Sequence, residues 1–316
     1  MGGCPLNPRT RPELARLCGR IRDNTLRRLF RLGWRYAHRI PAPIVGAALT
    51  VAAVAAVRLP GGHVQTLRRN LALTTGRPID DRLLRAAVRS HLRNVYEMLA
   101  LPGWSYEDVL RRIETVNEAQ MRGEYSSTGA VVVLPHSGNW DLAGAYAQLT
   151  AMPVTTVAEA LPGPDFAAFV AFRERLGMQV LSHRDPAVIG VLLGAVRAGR
   201  LVCLLGDRDL AGSGVPVSWA GQPVTMPAGP AVVARRSGAA LIPIVCQYTP
   251  SGMRIVFRDP IPHRPGRDGL VAMTQQVADF FVATIAEQPE DWHMLQPFFA
   301  ADAAVPAPEP SRPVRA

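Results

Sequence analysis

Apolar positions change their period once along this 316-residue chain, close to Gly129. Before that point they recur every three or four residues, the spacing of amphipathic helices. In residues 11–37, Leu14, Leu17, Ile21, Leu26, Leu29, Phe30, Trp34 and Ala37 fall on one side, and arginines fill the rest. Residues 41–57 carry no charge. They are fewer than the roughly 20 a membrane span needs and are rich in alanine, so a buried or shallowly inserted helix fits better. A signal peptide does not fit, because the stretch follows a long arginine-rich helix without a cleavage context. Pro60-Gly61-Gly62 breaks the chain ahead of a short helix over 63–73. Asp80 then N-caps a strong helix running to Leu101, with Leu84, Val88, Leu92, Val95 and Leu99 on its apolar stripe. Pro102-Gly103 ends it. Residues 106–113 and 117–125 read as two more short helices, which makes the first 125 residues nearly all helical.

Beyond Gly129 short apolar runs alternate with helical stretches. Strands are predicted over 130–134, 154–158, 179–181, 201–205, 240–246 and 254–257. Helices are predicted over 142–149, 165–176, 186–198, 227–237 and 269–286. This alternation implies an α/β fold, a largely parallel central sheet flanked by helices, with a helical N-terminal part. Three regions follow: a helical membrane-docking part over 1–125, an α/β core over 126–300 integrated with those helices into one domain, and a disordered tail over 301–316 containing Pro306, Pro308, Pro310 and Pro313.

Composition narrows the chemistry. All 35 basic residues are arginine, so lysine Schiff bases and a Walker lysine are excluded. The net charge of +10 asks for an acidic partner, nucleic acid or an anionic membrane. Ten arginines between Arg9 and Arg39 face only Glu13 and Asp23. A basic amphipathic helix of that kind can lie in a membrane interface. Nucleic acid is disfavoured, since no aromatics interleave with basic residues on a β surface. The four cysteines form no C-x-x-C pair, and Cys203 and Cys246, inside apolar runs, read as reduced core residues.

The candidate chemistry centres on His136-Ser137-Gly138-Asn139-Trp140-Asp141, which follows a buried strand and opens a helix. Asp141 can orient one imidazole nitrogen while the other faces a substrate proton. Free backbone N–H groups over 137–140 can stabilise an oxyanion. A second cluster, Gly206-Asp207-Arg208-Asp209, also leaves a strand's end. There Arg208 can bind phosphate, and the aspartates can orient it or His136. Arg173 and Arg175 lie on different faces of one helix, so at most one reaches the cleft. Glu159 ends a strand, and Pro227 opens a helix of small residues. The segment 289–299 reads first as core-closing, with His293 a hydrogen-bonded core histidine. No G-x-S-x-G elbow, G-x-G-x-x-G turn, H-E-x-x-H or cysteine cluster occurs, so nothing in the spacing demands a metal.

Taken together, the hexad at 136–141, Gly206 to Asp209, Met226-Pro227-Ala228-Gly229-Pro230 with Ile242-Pro243, and Pro289-Glu290-Asp291-Trp292-His293-Met294-Leu295-Gln296 resemble the bacterial lipid A biosynthesis acyltransferase family. Within it they are most similar to the actinobacterial phosphatidylinositol mannoside acyltransferases. The resemblance covers about residues 22–299. It implies a cell-membrane enzyme, peripheral on the cytoplasmic face. Such an enzyme moves a fatty acyl group from acyl-CoA or acyl carrier protein to a sugar hydroxyl of a glycolipid, with no metal or redox cofactor. By the same resemblance His136 is the general base, Asp141 its orienter and Arg173, or second Arg175, a lining residue. Asp207 and Arg208 fall in its second motif as substrate-binding residues. Glu159 and His293 match polar groups near the acceptor sugar. Relatives carry Glu where Pro216 stands, a departure that bears on the acceptor. Two other readings stand beside this one: the same reaction on a lysophospholipid, another glycolipid or a secondary metabolite, and a non-catalytic protein that binds anionic membranes or nucleic acid.

Overall fold

The structure, a computed structural model, describes residues 32–159, 164–210 and 212–300. The predicted basic helix therefore lies outside the described residues except for its last turns, and the tail over 301–316 lies outside them altogether. Residues 32–36 are helical and pass into a 3-10 turn, Ala37–Arg39. Helix α1 (Ala42–Arg58) meets α2 (Gly62–Thr75) at 89° across the Pro60-Gly61 break. Proline has no N–H to continue a helix and glycine is entropically costly inside one, so the turn falls where the sequence places it. Helix α3 (Asp81–Ala100) starts on Asp80, whose carboxylate accepts the Leu83 amide at 2.7 Å.

Helix α4 (Tyr106–Arg111) leads into β1 (Ile113–Val116), followed by α5 (Glu118–Ser127), β2 (Ala130–Leu134), α6 (Trp140–Leu149) and β3 (Val154–Ala158). Then come α7 (Pro164–Arg175), β4 (Gln179–Ser182), α8 (Val188–Arg197) and β5 (Leu201–Leu205). A hairpin of β6 (Val215–Trp219) and β7 (Gln222–Met226) precedes α9 (Gly229–Ser237), β8 (Ala240–Tyr248), β9 (Met253–Phe257) and α10 (Gly266–Glu287). The main sheet has seven strands in the order β1-β9-β8-β2-β5-β3-β4. Every neighbouring pair is parallel except β8 and β9, which are joined by a tight turn and run antiparallel. The expected α/β architecture is therefore present, with a helical N-terminal part. The first 125 residues are less helical than expected, because β1 adds an edge strand whose Ile-Glu-Thr-Val sequence carries little apolar signal. The β6–β7 hairpin is also additional. Its two-residue turn puts both Ala220 and Gly221 at positive φ, as such hairpins require.

Central strands bury both faces, and the period of two sorts their side chains. On β2, Val131 and Val133 face α8, α9 and α10, whereas Ala130, Val132 and Leu134 face α6. The first of these cores also takes in Val57 of α1, Leu67 and Leu71 of α2, and Leu84 and Val88 of α3. The N-terminal helices and the sheet thus share apolar interior. Helix α10 is long and apolar enough to cross a bilayer, but it lays Met273, Val277, Phe281 and Ile285 into the core. Exposed apolar bulk collects elsewhere. Among the described residues, Leu32, Tyr36, Ile40, Ile44, Val51 and Leu59 are six of the ten large apolar side chains that face solvent, all ahead of α2.

Replacing Asp80 with alanine removes a cap from α3 and is expected to lower unfolding stability by about 1 kcal/mol, read from urea midpoints.

Candidate active site

Parallel pairing of β2 and β5 sets Leu134 opposite Leu205. Extending each strand by two residues brings His136 beside Asp207. The Asp207 carboxylate is fully buried and lies against three donors. His136 Nδ1 stands 2.6 Å from Oδ1, and the His136 backbone N–H donates to Oδ2 at 2.9 Å. The Trp292 indole N–H donates to the same Oδ2 at 3.1 Å. An ionised carboxylate only accepts, so Nδ1 carries a proton, and in the neutral ring Nε2 is the nitrogen with the lone pair. Burial pushes the Asp207 carboxyl up, but the His136 imidazole, its two N–H donors and Trp292 outweigh this and hold it below the ordinary carboxylate value.

Asp141, expected as the orienter, is not on the imidazole. Asn139 caps α6 by accepting the Leu142 amide at 2.9 Å, so Asp141 falls in the first helical turn. From there its carboxylate meets Arg173 of α7, with Nε 2.6 Å from Oδ1. Both side chains are buried. The expected oxyanion donors also differ. The Ser137 amide donates to Pro135 O at 2.8 Å, that of Gly138 to Asp291 O at 3.0 Å, and that of Asn139 to Met253 Sδ at 3.2 Å. Gly138 sits at φ +55, and a Cβ there would come within 2.8 Å of Cys246 O, so this turn needs glycine.

The segment expected to close the core does so against the site itself. Ser137 and Trp292 form an antiparallel bridge, and the His293 amide donates to His136 O at 2.8 Å. His293 is buried, with Nε2 3.1 Å from Ser90 Oγ on α3, and its ring meets His91 edge-on at 5.5 Å. Burial, then the neighbouring His91 and His136, holds its pKa well below the usual histidine value, so it is neutral. Asp291 accepts from Ser90 Oγ at 2.5 Å and from the Tyr248 amide at 2.5 Å. Burial pushes its carboxyl up to about 6 despite those bonds. Glu159 reaches Arg208 at 3.3 Å, an ion pair across the ends of β3 and β5 at the rim of the site. Arg175 is exposed. Two participants escaped sequence reasoning, Trp292 and Ser90. The β2/β5 register was the available signal for pairing His136 with Asp207.

Beneath Trp140, Asp141 and Arg173 an apolar cavity of about 60 Å³ runs between α6 and the sheet. It is lined by Met121, Met152 and Met178, with Ile244 and Phe257 at the sheet side. Methionine side chains adapt to flexible apolar ligands. Cys203 also borders it, and burial pushes its thiol up to about 12, so it stays protonated. A second cavity, polar and about 400 Å³, is bordered by Asp207, Arg208, Asp209 and Thr225.

A histidine with a free Nε2, fixed by a buried carboxylate at the carboxyl ends of parallel strands beside an apolar cavity, fits an acyltransferase for lipid substrates. The sequence profile of the bacterial lipid A biosynthesis acyltransferases matches residues 24–300. A phosphatidylinositol mannoside acyltransferase of Mycolicibacterium smegmatis is 37% identical over 279 residues, covering 85% of this chain and 90% of that one. One of Mycobacterium tuberculosis is 37% identical over 254 residues, 76% of this chain and 78% of its own. The chain belongs to the bacterial lipid A biosynthesis acyltransferase family and is an O-acyltransferase.

Two buried groups make stability depend on pH. Asp291 has a folded pKa above its unfolded value, so its contribution is full below about pH 4 and lost as pH rises through about 6. His293, with a depressed pKa, acts oppositely and loses stability on acidification. Asp291→Asn isolates the first effect, because His293 is common to both proteins. The stability of wild type relative to the variant is expected to fall by on the order of 3 kcal/mol between about pH 4 and 7, measured by urea unfolding at each pH.

Proposed function

We propose that the chain transfers a fatty acyl group from acyl-CoA to a sugar hydroxyl of a phosphatidylinositol mannoside at a membrane surface, with His136 as general base. The observation that carries this reading is the buried Asp207 carboxylate on Nδ1 of the partly exposed His136 imidazole, which leaves Nε2 as the ring nitrogen available to a substrate hydroxyl. His136 takes the proton of the sugar hydroxyl as its oxygen attacks the thioester carbonyl. The tetrahedral intermediate collapses, the C–S bond breaks, and the leaving thiolate receives the proton from His136. Asp207, rather than Asp141, holds the ring. Asp141 and Arg173 line the apolar cavity, whose volume of about 60 Å³ suits a short part of an acyl chain. Glu159 and Arg208 at the rim, with His293 behind His136, remain candidates for the acceptor side.

The acceptor comes from the names of the relatives, both phosphatidylinositol mannoside acyltransferases. A different acceptor is favoured by one feature. Pro216 lies opposite Thr225 on the hairpin, and Thr225 borders the polar cavity next to Asp207. The family resemblance leads one to expect a glutamate at 216, and this chain has a proline there, opposite the Thr225 edge of the cavity.

His136→Ala and Asp207→Asn are each expected to lower transfer by roughly 10²–10⁴-fold with palmitoyl-CoA and purified phosphatidylinositol mannosides, measured by mass spectrometry of the product. Asp141→Asn removes the carboxylate charge that the buried Arg173 bonds and is expected to cost stability, by roughly 1–3 kcal/mol. Near-normal transfer by His136→Ala would rule out this mechanism, and acylation of a lysophospholipid in preference would change the acceptor.

Docking is read from the apolar residues ahead of α2 together with the neighbouring arginines Arg35, Arg39 and Arg58. Ile44→Asp with Val51→Asp is expected to reduce co-sedimentation with anionic vesicles severalfold while leaving the fold intact, since both side chains face solvent.

A further inference from the structure

Asp207 Oδ2 carries a bond that the dyad does not itself supply, the indole N–H of Trp292. That indole is completely buried and held from several directions. It stacks on Trp219 at 5.3 Å and 24°, and Trp219 is pinned by its own N–H to Thr74 Oγ1 at 3.0 Å. Phe298 packs edge-on against it at 5.2 Å. Its backbone is fixed on both sides, by Gly138 N–H on Asp291 O and by His293 N–H on His136 O. An indole fixed this firmly cannot rotate away from the carboxylate.

We propose that Trp292 is a positioning residue of the acyl transfer, setting the pH at which His136 becomes a competent base. The inference rests on the reading of His136 as that base. Its physical content is a division of charge. A donor on Oδ2 draws part of the carboxylate's negative charge away from Oδ1, where the imidazole sits. The imidazolium is then less favoured, and the base is free at lower pH. The same bond fixes the carboxylate plane, and hence the direction of Nε2. The other titratable and charged groups facing the dyad are His293, with His91 behind it on α3, Asp291 on the closing segment, and Glu159 and Arg208 at the rim. The Asp141–Arg173 pair lies on the cavity side. None of them touches the Trp292 indole N–H, so removing that N–H leaves them as they are.

The test compares Trp292→Phe, which removes the donor, with Phe298→Leu, which disturbs the packing of the same indole and keeps the bond. A third protein with 3-benzothienylalanine at 292 keeps the bicyclic stack and replaces only N–H by sulfur, so it decides the matter if the phenylalanine variant does not fold. Loss of the N–H is expected to move the acidic limb of kcat/KM for palmitoyl-CoA upward by about 0.5–1 pH unit. It is also expected to lower kcat roughly tenfold with KM unchanged. Phe298→Leu is expected to lower thermal stability with the limb in place. A second readout does not depend on activity: the downfield proton resonance of the His136–Asp207 hydrogen bond, identified by its absence from His136→Ala. It is expected to shift on loss of the N–H and to stay in Phe298→Leu. A pH-independent loss of rate with an unmoved resonance overturns the proposal, as does an equal shift in Phe298→Leu. Full activity of His136→Ala would instead defeat the general-base reading, and the resonance would still decide whether Trp292 tunes the pair.

Discussion

Taking a carboxylate out of water costs several kcal/mol unless donors and an opposing charge replace its hydration. Asp207 is such a group, with no exposed surface. Its requirement ties together parts of the chain that are otherwise far apart. The end of β5 presents the carboxylate, and the turn after β2 supplies ring and backbone N–H groups from 71 positions away. The closing segment supplies the indole from 85 positions away. The bonds that offset the burial cost are the same ones that aim His136. Stability and chemistry are therefore written into one carboxylate, and a change there costs both.

A second polar layer lies behind the first. The inner face of α3 is not uniformly apolar: Ser90, Asn94 and Glu97 are buried on it beside Met98. Ser90 meets Asp291 and His293, and Glu97 accepts from Asn139 at 3.1 Å and from Arg93 at 2.7 Å. The bonds to Asp291, His293 and Asn139 hold residues next to the dyad or in the turn that carries it. Buried polar networks are costly when half satisfied and rigid when complete. This one leaves Asn94 Oδ1 and His293 Nδ1 without a hydrogen-bond partner among the described residues, and the bonds it does make hold the hexad against the segment facing it.

The sequence made the sheet legible because central parallel strands are continuous apolar runs, as in β2 and β5, and β3 shows the β-branched Val-Thr-Thr-Val pattern. Edge strand β1 was not legible, since half-exposed residues need no apolar pattern. The hairpin was missed because its turn is Ala-Gly, without the Asn-Gly signal. His136 stands out through its place after a strand, and the sequence offers it two sets of orienters, Asp141 in the hexad and the aspartates at 207 and 209. The sheet follows register, and Leu134 opposite Leu205 brings Asp207 instead. For α3, reading the apolar stripe picked out Leu84 and Val88 but passed over Ser90. Its polar side chain looks solvated until the segment that covers it is known.

The bond from Ser90 to Asp291 spans 201 positions, and the bridge from Ser137 to Trp292 joins the first motif to nearly the last described element. A nascent chain meets these partners in a fixed order. Until the closing segment leaves the ribosome, Asp207 lacks its indole and Ser90 of α3 lacks Asp291 and His293. Contacts of such long range form late, because loop closure must precede them. Competence to transfer an acyl group thus arrives with the last turn of the fold, and a partly made chain lacks the finished base.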